Sequence, residues 1–232
     1  MHFLLFGATG RTGQHVVTEL LSRGHTAVAL VRTPGSLAAR PGLTVVTGSP
    51  LSKSDIQAAV SATPSLTPSA AVITLNTVRK SDSPFAAQVS PPRFLADSCA
   101  AIGEVLQQAG IRRIVVLSTA GVGDSWAPLP WTSKAFMAWT NVKYALEDHG
   151  LVDEEIRSTG LDWTLVRATR LRFDDPRQKA TDDSTEEDVQ TLGGDGRGMR
   201  MTDSVSVAGV ARFLVRVAVE GLFIKSAVVI RD

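Results

Sequence analysis

Glycine recurs at every third position in Gly7-Ala8-Thr9-Gly10-Arg11-Thr12-Gly13, directly after an apolar run and directly before an amphipathic stretch. Glycine permits a tight turn and lets backbone N–H groups approach a pyrophosphate, which then sits at the positive end of the following helix. The spacing, G-x-x-G-x-x-G, is a variant of the G-x-G-x-x-G fingerprint of dinucleotide-binding turns. Gly7, Thr9, Gly10, Arg11, Thr12 and Gly13 are therefore candidate phosphate-binding residues. A second clue stands at the end of the apolar run Thr26–Arg32, where Arg32 is followed by Thr33. An acidic residue there would hold a ribose 2′-hydroxyl and repel a 2′-phosphate, whereas a guanidinium can hold that phosphate bidentately. Together with Arg11, Arg32 points to NADP over NAD. The competing reading is that both arginines are solvated surface charges.

These residues need a scaffold, and the hydrophobic pattern supplies one. Short apolar runs at His2–Phe6, Thr26–Arg32, Leu43–Thr47, Ala70–Leu75, Arg113–Ser118, Asp162–Arg167 and Ala227–Ile230 read as strands. Helical patterns separate them: Arg11–Arg23, Ser54–Val60, a long helix starting at Pro91-Pro92 and ending near Ala109, residues 133–159 with a break expected at Gly150, and Val205–Glu220. Near-continuous apolar strands alternating with helices predict an α/β fold, a Rossmann-like doubly wound parallel sheet covered on both faces. The glycine turn then lies at the carboxyl edge, where the strand order reverses. Two polar stretches interrupt the alternation, Asn76–Val89 and residues 172–198. The second reads as a flexible excursion from a single domain spanning 1–232.

Composition narrows the classes. The chain has 232 residues, 44% of them hydrophobic, and a formal net charge of +1, so nothing predicts bulk attraction to nucleic acid or to a membrane surface. Cys99 stands alone in an Ala-rich helical stretch and reads as a small buried hydrophobe, which fits a reducing compartment. Met1–Phe6 is too short for a signal-peptide core and no apolar run approaches a membrane span, so a soluble, cytoplasmic protein is expected. His2, His15, His25 and His149 lack metal-ligand spacing, and no metal is expected. Asp182, Asp183, Glu186, Glu187 and Asp188 read as solvated charges.

The turn GATGRTG, the strand ending Val31-Arg32 and the segment Ser158-Thr159-Gly160-Leu161-Asp162-Trp163-Thr164-Leu165-Val166-Arg167 resemble the atypical short-chain dehydrogenase/reductase superfamily. The branch it resembles most is the NAD(P)H-binding, NmrA-like group that includes biliverdin-IXβ/flavin reductases. The similarity covers most of residues 1–170 and, more weakly, the last helix and strand. It implies NADP bound across strands one, two, four and five. Leu75, Asn76 and Thr77 would then approach the nicotinamide ribose, a hydroxyl from Ser118 or Thr119 would lie near the nicotinamide, and Ala168 and Thr169 would line its side. The chain departs from that pattern in having Gly48-Ser49 where relatives have Gly-Asp, and Arg167-Ala168 where they have Arg-Pro.

The better-known members use Tyr-x-x-x-Lys, in which tyrosine gives the proton and lysine lowers its pKa and holds the ribose. This chain has one tyrosine, Tyr144, with Asp148 four residues later, so the motif is absent. Lys134 and Lys143 precede it, which leaves a rearranged pair open beside the reading of Tyr144 as a core or interface residue. Ser118 and Thr119, at a strand's carboxyl end, are the stronger catalytic candidates, with the proton coming from solvent or Lys134. Hydroxyls of such high pKa suit acceptors that take hydride without a strong acid, such as flavins, quinones and enones. Trp126, Trp131, Phe136, Met137 and Trp139 either wall a pocket for a planar aromatic small molecule or form core or homodimer contacts. The expected function is an NADP-dependent reductase. The alternatives are a non-redox isomerase or dehydratase in a biosynthetic pathway and an NADP-sensing, NmrA-like binding protein.

Overall fold

The computed structural model describes residues 1–173 and 189–232; the acidic positions from Asp174 to Asp188 lie outside the described residues. In chain order the elements are β1 (His2–Phe6), α1 (Arg11–Ser22), β2 (Thr26–Val31), β3 (Leu43–Thr47), α2 (Lys53–Val60), β4 (Ala70–Ile73), α3 (Phe94–Gln108) and β5 (Arg113–Thr119). A 3-10 turn at Gly123–Ser125 leads to α4 (Trp131–Trp139), α5 (Val142–Arg157), β6 (Asp162–Ala168), β7 (Arg170–Arg172), β8 (Gln190–Thr191), β9 (Ser204–Ser206), α6 (Val207–Glu220) and β10 (Ser226–Arg231). The main sheet runs β3-β2-β1-β4-β5-β6-β10-β8, and every pairing is parallel except that of β8. This is the doubly wound, Rossmann-like sheet that the alternation of patterns predicts. The chain winds outward from β1 to β3 and then returns to place β4 on the other side of β1. That reversal opens a crevice at the carboxyl ends of β1 and β4.

The pleat sorts the apolar residues onto two faces. From β1, Phe3 and Leu5 join α1 and α6 through Val16, Leu20, Phe213 and Leu214, while Leu4 and Phe6 join α2, α3 and α5 through Ile56, Ile102, Leu106, Val152 and Ile156. Every residue of β1 is buried. Each such Leu or Phe side chain contributes about 1.5–3 kcal/mol of burial. Among the described residues no helix is long and apolar enough to cross a membrane.

Three expectations are corrected. The helix expected from Pro91-Pro92 begins at Phe94, because Arg93 is in the left-handed region (φ 60°). Its first turn is capped from α5, where the buried Asp148 carboxylate accepts the N–H groups of Leu95 (2.8 Å) and Ala96 (3.0 Å). The helical stretch 133–159 breaks at Thr140-Asn141, and α5 runs unbroken through Gly150. Thr140 is extended there (φ −112°, ψ 164°). Asn141 is held by the 76–89 loop, its Nδ2 donating to the carbonyls of Phe85 (3.0 Å) and Ala86 (3.2 Å). Finally, β7 and β9 form a separate parallel ribbon and β8 an antiparallel edge where no strand was expected, and β9 takes Val205 and Ser206 from the expected helix, which begins at Val207 with Ser206 as its N-cap. Strands of two or three residues carry no readable alternation.

Asp148→Ala leaves two N–H groups at the start of α3 unpaired in a buried place. We expect it to cost about 2–3 kcal/mol, seen as a lower urea midpoint with an unchanged slope. An unmoved midpoint would show that α3 does not depend on this cap.

Candidate active site

The turn from β1 into α1 is shaped by backbone contact. Gly7 is left-handed (φ +86°), and a Cβ there would stand 2.7 Å from the Thr74 carbonyl carbon at the end of β4. A Cβ on Gly13 would stand 2.1 Å from the Gly7 carbonyl oxygen. The glycines therefore let β1, α1 and β4 meet with no side chain between them. The N-cap of α1 is Gly10, with no side-chain hydrogen bond to cap it and no acidic residue in the first turn. Its N–H groups and the positive end of its dipole are left for an anion.

Beside this turn a cavity of about 460 Å³ follows the carboxyl edge of the sheet. Gly7, Thr9, Gly10, Arg11, Thr12, Arg32, Leu75, Asn76, Thr77, Ser118, Thr119, Ala168 and Thr169 all line it, with Gly13 packed beneath. Two cations differ in their surroundings. Arg32 makes no hydrogen bond or ion pair among the described residues, and its guanidinium lies 5.9 Å from the Phe94 ring. Arg11 is engaged by Asp82 (3.1 Å) and stacks on Phe173 at 3.7 Å, closing a bridge across the cavity mouth. At the far end the buried Thr169 hydroxyl has no hydrogen-bond partner among the described residues. An uncapped helix N-terminus, an unpaired guanidinium and an orphaned hydroxyl in one elongated cavity fit a dinucleotide.

The candidate proton donors are distributed unevenly. Ser118 is buried on β5, and its Oγ lies 3.4 Å from His149 Nδ1. The Thr119 hydroxyl donates to the Ala120 carbonyl at 3.2 Å. Tyr144 does not line the cavity: it is 43% exposed, with the Lys143 ammonium 5.1 Å from its ring. Lys134 is also elsewhere, donating to the Ala127 carbonyl at 3.0 Å and lying 5.7 Å from the Trp126 ring. The rearranged Tyr–Lys pair is thus not assembled at the cavity. The cavity-facing stripe of α5 is Val142, Ala145 and His149. His149 is the residue the sequence pattern missed. Its signal was helical phase, since it follows Ala145 by one turn in the register just beside Tyr144 and Asp148. Burial pulls the His149 pKa down to about 4, so the imidazole is neutral near pH 7. Burial likewise pushes the Cys99 thiol up to about 12, which leaves it inert.

The expected aromatic wall is divided. Trp126 and Met137 line a second cavity of about 400 Å³ on the neighbouring face of α5. Trp131, Phe136 and Trp139 face solvent, Trp131 and Trp139 at 79% and 86% exposure. Behind the site, the fully buried Arg167 donates to Asp153 Oδ1 (2.7 Å) and to the Gly194 carbonyl (2.7 Å). Asp153 also pairs with Arg157. A Cβ on Gly123 would stand 2.3 Å from Asp153 Oδ2, so the loop after β5 rests directly on this ion pair. These contacts fix the end of β6 against α5 and place Ala168 and Thr169.

A model of the NAD(P)H-binding family matches residues 7–220. A 3-beta-hydroxysteroid dehydrogenase from Mycolicibacterium neoaurum is 28% identical over 190 residues, which is 71% of this chain and 50% of that protein. The chain therefore spans about half the length of that curated relative. Among solved structures, the anaerobillin reductase ChuY from Escherichia coli O157:H7 superposes with a TM-score of 0.73 at 20% identity, covering 100% of this chain and 97% of that one. A short-chain dehydrogenase/reductase from Veillonella parvula, in complex with NADP, gives a TM-score of 0.68 at 18% identity, covering 100% and 94%. At these identities the likeness is one of fold.

Thr169→Val keeps the shape of the side chain and removes the orphaned hydroxyl. Dinucleotide affinity should fall about 3–10-fold while stability without cofactor holds or rises, measured by titration and by melting. Equal affinity would place the cofactor elsewhere. His149 also titrates differently in the folded and unfolded chains. The unfolded state binds the extra proton between pH 6.5 and about 4, so stability is lost as the pH is lowered through that window, by at most about 1.4 kcal/mol per unit. In His149→Asn that share of the slope should be gone.

Proposed function

Because the chain belongs to the NAD(P)H-binding family, we propose that it is an NADP-dependent oxidoreductase reducing a flat, conjugated small molecule of the flavin, quinone or enone type. One observation carries this reading. A single cavity runs from the unpaired Arg32 past the uncapped N-terminus of α1 to the Ser118 and Thr119 hydroxyls. The adenosine end is thus cationic, and Arg32 can take a 2′-phosphate bidentately. When bound, the reduced nicotinamide supplies a hydride.

The chain's own residues do the rest. Leu75, Asn76 and Thr169 hold the nicotinamide end in place, and Ser118 and Thr119 present hydroxyls to a carbonyl or ring nitrogen. No tyrosine, lysine or charged imidazole faces the acceptor from the α5 stripe. An acceptor whose conjugation spreads the incoming charge suits such a site better than an isolated ketone. The names of the curated relative and of one structural neighbour, a hydroxysteroid dehydrogenase and an anaerobillin reductase, favour redox work over isomerisation.

Stopped-flow mixing of NADPH-loaded protein with a panel of flavins, quinones and enones tests the proposal. We expect NADPH oxidation with at least one acceptor. Tight binding without oxidation by any of them would favour a sensor, and product formation without loss of NADPH an isomerase. Arg32→Ala should weaken NADPH by about 1–3 kcal/mol and NADH far less. Equal losses would show that Arg32 does not read the 2′-phosphate.

A further inference from the structure

A reductase needs a proton as well as a hydride, and the residues expected to give it do not reach the cavity. Tyr144 faces solvent and Lys134 is held by the Ala127 carbonyl. What faces the cavity from α5 is His149, one turn beyond Ala145. Across from it, β5 brings the Ser118 hydroxyl to 3.4 Å from Nδ1. Both side chains are buried, and both line the cavity at the end opposite Arg32.

Resting on the reductase reading, we infer that Ser118 and His149 form the proton relay of this site. The Ser118 O–H gives its proton to the oxygen or nitrogen of the acceptor, and the N–H at Nδ1 of His149 returns one to Ser118 in the same event. No free alkoxide forms, which matters because a serine hydroxyl is too weak an acid to ionise alone. The imidazole passes its proton as a neutral tautomer. As Nδ1 gives up its hydrogen, Nε2 takes one from water in the cavity, and the hydroxide left is protonated by bulk solvent through the open cavity, so the ring carries no net charge before or after. The proton added to the acceptor thus comes from solvent, Ser118 ends as it began, and His149 regains its first tautomer by exchange with water between turnovers. Burial favours this form, since it disfavours imidazolium. A separation of 3.4 Å is the loose geometry of a catalytic hydrogen bond that tightens on the bound acceptor.

The relay differs from a structural contact in what restores it. In the full chain, His149→Ala and Ser118→Ala should each bind NADPH within about 3-fold of wild type, because neither side chain holds a phosphate. Each should lose about 10²–10⁴-fold in the rate of acceptor reduction. The double variant should be no slower than the slower single one, as expected for two groups acting as a unit. Added imidazole should restore His149→Ala saturably, and leave Ser118→Ala unchanged. The wild type should react more slowly in deuterated water, by about 2-fold or more, and Ser118→Ala should lose that dependence. Reduction by His149→Ala within about 3-fold of wild type, or penalties that multiply in the double variant, would overturn the relay and leave the reductase standing. A wild type inert toward every acceptor would overturn both. Should His149→Ala fail to fold, Ser118→Ala and its solvent isotope effect decide the matter, since that change removes one hydroxyl only.

Discussion

The architecture of the site depends on a contact between bare backbones. Gly7 meets the end of β4, and Gly13 meets Gly7, at distances that exclude a Cβ. This constraint draws the N-terminus of α1 down to the crevice between β1 and β4, and the crevice becomes a place for an anion. A wider turn would lift α1 off the sheet and separate its free N–H groups from the hydroxyls at the end of β5. Packing and binding therefore make the same demand on the same glycines.

From that turn the cavity changes character along its length. At the Arg32 end it is cationic and open, with Arg32 unpaired and Arg11 tied across the mouth to Asp82 and Phe173. Toward β5 and α5 it becomes buried and uncharged, bounded by Ser118, Ala145, His149 and Thr169. Charge is thus concentrated at one end of the cavity and absent from the side chains that bound the other. The cations that do lie deep, Arg113 and Arg167, are spent on carbonyl groups or on Asp153, behind the cavity.

Much of this was legible in the chain. Strand positions followed from apolar runs, the turn from glycine spacing, and the cationic end from Arg32 closing β2. What stayed hidden was helical phase. Whether Tyr144 or His149 faces the cavity depends on where α5 begins. That start is set by Asn141 reaching carbonyls of Phe85 and Ala86, more than fifty residues earlier. Gly150 looked like the break, yet a Cβ there would touch nothing, and the helix passes through it. The cap that Asp148 lends to α3 was hidden for the same reason: partners distant in sequence leave no local pattern. The aromatic run was legible as residues but not as a surface, since it divides between a second cavity and solvent.

The ion pair behind the site also bears on how such a chain can change over generations. A Cβ at Gly123 would run into both Asp153 and Arg167, and Arg167 in turn holds the Gly194 carbonyl. Removing Asp153 strands the buried Arg167 charge, removing Arg167 leaves Asp153 only the half-exposed Arg157 and the Gly194 carbonyl without its Arg167 donor, and any side chain at 123 collides with both. Positions 123, 153 and 167 therefore form one heritable unit. A lineage can exchange all three for an apolar plug, but each single step toward it crosses a valley of poorly folded intermediates.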